Sequence, residues 1–86
     1  MKKTNPLLKQ AILEAVDNQL RDLNPPETKQ TYDRLRGQGH SDPEARQLIG
    51  CVVSAEIFDV LKQQQPFDKV RFIKALNNLP RMPWEK

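Results

Sequence analysis

Glu56 is the residue with the most chemical promise, because it lies in the middle of the apolar stretch "LIGCVVSAEIFDVL". A carboxylate removed from water needs hydrogen-bond donors or it loses its charge, and perturbed carboxylates are frequent among general bases and metal ligands. A general base also needs a reacting partner, and the sequence offers no second essential group beside Glu56. We therefore expect an architectural role for Glu56, with enzymatic or metal-binding chemistry as the less favoured alternative.

Gln19 is a second polar residue in the middle of an apolar helix face, on the opening helix of the chain. The apolar side chains that define this face are Leu8, Ile12, Ala15 and Leu23. We predict that the side-chain amide of Gln19 donates a hydrogen bond to Glu56 across a helix interface. The two residues would then form a structural polar network that fixes which helices pair and in what register.

The remaining groups with reactive chemistry are isolated. His40 is the only histidine, and its neighbours Ser41 and Asp42 suggest a triad by adjacency alone, which is not triad geometry. Cys51 is the only cysteine, which excludes an internal disulfide and a zinc site built from several cysteines. We expect no metal site, no cofactor and no enzymatic activity.

Proline and capping residues divide the chain into four expected helices, at 5–23, 25–36, 42–63 and 69–79, with an extended tail at 80–86. Asn24 is the expected N-cap of the second helix, Ser41 and Glu44 have capping-box spacing, and Asp68 caps the fourth. No segment alternates with period two. The sequence therefore predicts an all-α fold: a single domain, a compact bundle of about four helices with an extended C-terminal tail.

Size and composition limit the function classes. Eighty-six residues leave little room for both a core and a deep substrate cavity. Lys9 and Gln10 interrupt the apolar residues near the N-terminus, which argues against a signal peptide, and no segment approaches the ~18 apolar residues of a membrane span. We expect a cytoplasmic protein with no membrane partner, which acts as a non-catalytic interaction or regulatory module.

A protein partner or a second copy is the first kind of partner that the sequence suggests. The second helix has few apolar anchors, so its outer face is a candidate contact surface. Trp84, the only tryptophan, follows the last helix and either packs on the core or serves as an aromatic anchor. The candidate interaction residues are Tyr32, Leu35, Met82 and Trp84.

Nucleic acid is the alternative partner. The chain has a net charge of +3, and four basic residues at the end of the second helix and on the fourth are candidate phosphate contacts. These residues are Arg34, Arg36, Arg71 and Lys74. Asp33 dilutes their charge, so a solvated basic face is the preferred interpretation.

Several short motifs, taken in order, resemble an uncharacterised bacterial family of small helical proteins known as a domain of unknown function. The motifs are "NPLL", "NQL", "NPPE", "EA…LIG", "AEIFDVL" and "PFD…F…AL…LP", which cover residues 5–80 and correspond to the C-terminal segment of longer members. The matching positions are Asn5, Pro6, Gln19, Leu20, Pro25, Pro26, Glu56, Ile57 and Phe58.

The resemblance implies the helical fold but no activity. Related members carry histidines on the first and third helices, where this chain has Lys9, Leu13 and Gln47. If those histidines bind metal in the relatives, the resemblance implies that this chain has lost that capacity.

Overall fold

The computed structural model describes residues 6–64 and 66–82, with side chains from Lys9 onward. It contains four helices, α1 (Pro6–Asp22), α2 (Pro26–Gly37), α3 (Asp42–Gln63) and α4 (Lys69–Asn78). Within these described ranges there is no strand. The all-α prediction is therefore confirmed, and of the expected tail only residues 80–82 lie in the described part of the chain.

Local side-chain bonds explain where α3 and α4 begin. The backbone N–H of Glu44 donates to Ser41 Oγ at 3.2 Å, and the Glu44 carboxylate accepts from the Ser41 N–H at 3.0 Å, as the capping-box spacing predicts. The Asp68 carboxylate accepts from the Arg71 N–H at 3.1 Å. The expected cap of α2 is wrong, because its N-cap position is Pro25, which makes no side-chain bond.

The core lies between α2 and α3, which each contact all the other helices, whereas α1 and α4 flank them and have no mutual contact among the described residues. Burying these side chains supplies the main driving force for folding. The buried apolar residues are Val16, Leu35, Ala45, Ile49, Val52, Val53, Phe72, Leu76 and Leu79.

Two contacts show that α1 and α3 pack antiparallel. Near the start of α3, Arg46 pairs with Asp17. Further along, Gly50 faces Ile12, and a Cβ at position 50 would lie 3.4 Å from the Ile12 Cγ2. In this register Pro6, at the start of α1, comes level with about residue 56 of α3, so the last two turns of α3 extend roughly 10 Å past α1.

Candidate functional site

Glu56 is buried, with 6% of its surface exposed, and its carboxylate joins α3 to the start of α4. Arg71 donates to both carboxylate oxygens, from Nε to Oε1 at 3.2 Å and from Nη2 to Oε2 at 2.9 Å. The backbone N–H of Asp68 adds a third bond to Oε2 at 3.3 Å. The hydrogen bond from Arg71 to Glu56 raises the pKa of the guanidinium. Such a bidentate, charge-assisted pair holds α4 in a fixed position on α3.

The predicted hydrogen bond between Gln19 and Glu56 is wrong. The Gln19 Oε1 accepts instead from the buried Thr28 hydroxyl at 2.8 Å, which joins α1 to α2. In the antiparallel register Gln19 comes level with about residue 44 of α3, roughly 18 Å along the axis from Glu56. The Tyr32 hydroxyl donates to Asp42.

A cleft of about 260 Å³ lies beside Glu56 between α3 and α4. Its lining side chains in the described part of the chain are Val52, Ala55, Glu56, Asp59, Arg71, Lys74, Ala75, Asn78, Arg81 and Met82. No hydroxyl, thiol or imidazole is among them, and both Glu56 oxygens already accept hydrogen bonds. Across residues 6–64 and 66–82, no group of three or more acidic, histidine or cysteine side chains is arranged to hold a metal ion.

A second polar cluster joins α1, α2 and α3 around Asp42. The Asp42 carboxylate accepts from the Tyr32 hydroxyl and from Arg46 Nε, the latter at 3.0 Å. Arg46 also pairs with Asp17 on α1. The pKa of Asp42 is lowered first by the Tyr32 hydrogen bond and then by Arg46. This cluster ties three helices together and is another structural set of polar contacts.

The four expected phosphate contacts do not form one free basic surface. Arg34 donates to the carbonyl groups of Leu79 and Leu76 at 2.8 and 2.9 Å, so it caps the C-terminal end of α4. Arg71 is bound to Glu56, and Arg36 donates to the Tyr32 hydroxyl at 3.2 Å. Of the four, only Lys74 has no side-chain bond to another described residue, and it lines the α3–α4 cleft.

The expected interaction surface on α2 is also wrong in part. Leu35 is fully buried in the core, so it offers nothing to a partner. Tyr32 is half-buried and packs against that core, with the Arg46 guanidinium 5.5 Å from its ring centre. Met82 is half-buried in the α3–α4 cleft. Trp84 lies outside the described residues.

His40 and Cys51 are not brought together with other reactive groups among the described residues. His40 Nδ1 lies 3.8 Å from the Glu44 carboxylate in the turn before α3, and the Ser41 hydroxyl is used as the cap of that helix. Cys51 is a half-buried free thiol on α3.

An exposed apolar surface, which the sequence did not predict, lies at the end of α3. Ile57, Phe58 and Leu61 are 43%, 60% and 72% exposed, although all three are large apolar side chains. Residues one, three and four apart on a helix lie within about 100° of one another, so these side chains share one face. We call this surface the α3 stripe.

The α3 stripe continues the side of α3 that α1 covers. At about 100° per residue, Ile57 and Leu61 lie within about 20° of Gly50, which packs against α1. Since α1 begins level with about residue 56, α1 leaves this side of α3 open beyond that point. The signal available in the sequence was the greater expected length of the third helix, residues 42–63, compared with residues 5–23 for the first.

Other exposed apolar residues do not belong to the α3 stripe. Phe67 is stapled onto the buried Phe72, with ring centres 5.6 Å apart. Val70 is 78% exposed and lies about 160° around α4 from Phe72, on the side away from the core. Val70 is therefore an isolated exposed side chain of an ordinary kind.

Comparison of the chain with protein-family models, curated proteins and solved structures finds no match. Membership of the bacterial family that the motifs resemble therefore stays a prediction. Among the described helices, none combines the length and the apolar character that crossing a membrane requires.

Proposed function

We propose that this chain is a small helical interaction module and that the α3 stripe is its contact surface. The observation that carries the proposal is the exposure of Ile57, Phe58 and Leu61 side by side on one helix face. At these exposed fractions the three side chains present roughly 350 Å² of apolar surface, within the ~300–600 Å² of the largest patch on a typical monomer, which is often functional.

The energetics of the α3 stripe support this proposal. Full burial of a large apolar side chain stabilises a protein by about 1.5–3 kcal/mol relative to exposure. Because three such side chains are exposed side by side, the isolated chain lacks several kcal/mol of stabilisation that their burial would provide. A partner that covers the α3 stripe recovers part of that energy as binding energy. Lys62, whose Nζ lies 5.6 Å from the Phe58 ring centre, provides a charged border for such a contact.

The other candidate functions have less support. The Glu56 carboxylate is occupied by Arg71 and by a backbone N–H, so a role as general base requires breaking a bidentate ion pair. Nucleic-acid binding loses two of its expected contacts, since Arg34 and Arg71 are bound within the fold. Neither function has a surface comparable to the α3 stripe.

Site-specific photocrosslinking in the native cell tests the proposal. A benzophenone amino acid replaces Phe58 in one variant and Val70 in a control variant, because both positions are exposed but only the first belongs to the α3 stripe. We expect a protein adduct of defined mass from position 58 that disappears when Leu61→Ser is added. No adduct from position 58, or the same adducts from both positions, would contradict an interaction through the α3 stripe.

A further inference from the structure

We propose that the α3 stripe binds an acidic amphipathic helix of a partner protein. This inference rests on the proposed function and adds the chemistry of the partner. The partner would present apolar side chains at positions i, i+4 and i+7 toward Ile57, Phe58 and Leu61, with carboxylates beside them facing Lys62.

The shape of the surface favours a helix as the partner. The exposed side of α3 is about two turns long, and it continues the face on which α1 already packs. A partner helix that lies antiparallel to α3 would extend the line of α1 and make the same kind of side-chain contacts. Helix-in-groove recognition works through anchors at this spacing.

The charge at the border of the α3 stripe favours an acidic partner. Lys62 lies beside Phe58, whereas Asp59, the nearest carboxylate on α3, lines the α3–α4 cleft, about 160° around the helix from Ile57 and Leu61. The whole chain carries a net charge of +3. Complementary charge speeds association with an acidic partner and disfavours a basic one.

The same charges argue against a second copy on the α3 stripe. A two-fold contact brings this surface of one copy against the same surface of the other, so the two Lys62 side chains approach each other. Two chains of charge +3 also repel each other. In addition, roughly 350 Å² per copy is less than half of the ~800 Å² that each partner buries in a standard interface.

The terminal segments of this chain are poorly suited to cover the α3 stripe. Residues 1–5 read "MKKTN" and contain one apolar side chain, whereas the α3 stripe consists of three. At the other end, Met82 lies in the α3–α4 cleft, on the side of α3 away from the stripe. The described part of the chain therefore ends on the side of α3 away from the stripe.

Binding of a designed peptide tests the inference. The probe is a fluorescein-labelled helix of about 18 residues with leucines at i, i+4, i+7 and i+11 and glutamates on its other faces, and its control is a scrambled sequence of the same composition. Fluorescence anisotropy gives the Kd with the full chain. We expect binding of the probe only, about tenfold or more weaker with Leu61→Ser and unchanged with Val70→Ser.

Lysine variants test the charge. Lys62→Gln is expected to weaken binding several-fold and to reduce its dependence on salt, whereas Lys74→Gln on the cleft side leaves both unchanged. Circular dichroism of each variant should match the unaltered chain, since the substituted side chains are all exposed. Equal binding of probe and scrambled peptide, or no effect of Lys62→Gln, would refute the acidic helix.

Two further measurements address the competing occupants. Sedimentation equilibrium showing a dimer that Leu61→Ser dissolves would overturn the inference in favour of a second copy. Co-sedimentation of the chain with anionic phospholipid vesicles would overturn the inference in favour of a lipid surface, if the Leu61→Ser variant no longer co-sediments and the unaltered chain does not bind the peptide. A crosslinked adduct at position 58 without peptide binding would leave the proposed function standing and remove only the acidic helix.

Discussion

Replacing Glu56 by alanine tests whether the ion pair between Glu56 and Arg71 holds α4 on α3. The substitution removes the acceptor of three N–H groups, two from Arg71 and one from the backbone of Asp68. The Arg71 side chain is 40% exposed, so its charge can turn to water at little cost. The backbone N–H of Asp68 has less freedom, because its residue is fixed as the cap of α4.

The expected loss of stability is about 1–3 kcal/mol, the usual cost of leaving a buried hydrogen-bonded group without its partner. For a domain of this size, that loss lowers the Tm by roughly 5–20 °C. Asp59→Ala is the matched control, because Asp59 is a half-buried carboxylate one turn further along α3 with no side-chain hydrogen bond to a described residue. Its expected loss is within about 0.5 kcal/mol.

Urea unfolding followed by circular dichroism measures both variants. A second comparison adds Gln19→Ala to Glu56→Ala, and the two losses should be additive because Gln19 contacts Thr28 and lies far from Glu56. Equal unfolding midpoints for the Glu56 and Asp59 variants would refute the role of the ion pair. A coupling above about 0.5 kcal/mol between positions 19 and 56 would refute the helix register.

Three further changes have expected outcomes. Gly50→Ala should raise stability by up to about 1 kcal/mol in urea unfolding, because the new methyl group meets α1 at an ordinary contact distance of 3.4 Å, whereas a loss would mean that α1 cannot accommodate it. Arg34→Met removes two hydrogen-bond donors from the carbonyl groups at the C-terminal end of α4 and should lower the free energy of unfolding by about 1–3 kcal/mol. An unchanged midpoint of urea unfolding would contradict this expectation. Asp42 has a pKa below the usual 3.8, owing first to the Tyr32 hydrogen bond and then to Arg46. The stability that the Asp42 carboxylate contributes to the fold is therefore present at neutral pH and is lost as the pH falls through the folded-state pKa. Asp42→Asn should therefore lower the Tm at pH 7, and the gap to the unaltered chain should close toward pH 2; a constant gap would contradict this assignment.

Most of the fold could be predicted from local sequence because helix starts are local events. A serine and a glutamate three residues apart, or an aspartate before a basic amphipathic segment, satisfy the free N–H groups without help from the rest of the chain. Asn24 shows the limit of this approach. The residue fits the cap pattern, but the N-cap position is one residue later, at Pro25, which supplies no acceptor side chain.

The tertiary contacts of the polar residues could not be predicted in the same way. A helical wheel gives the angle of a side chain around its axis, and Gln19 and Glu56 were each placed correctly on an inward face. A helical wheel does not say how far apart two residues on neighbouring helices lie along the helix axes. That distance depends on close approaches such as Gly50 against Ile12, which place Gln19 and Glu56 near opposite ends of the α1–α3 pair.

The α3 stripe escaped prediction for a related physical reason. Apolar residues near the end of α3 occur at 57, 58, 60 and 61, which is wider than the face that a single neighbouring helix covers. Such a pattern is typical of a helix enclosed by neighbours on several sides, yet α1 is five residues shorter than α3 and does not reach this end. The excess of apolar positions over available cover is therefore the feature of this sequence on which the proposed contact surface rests. It also explains why the exposed apolar surface lies on α3 and not on the weakly apolar α2.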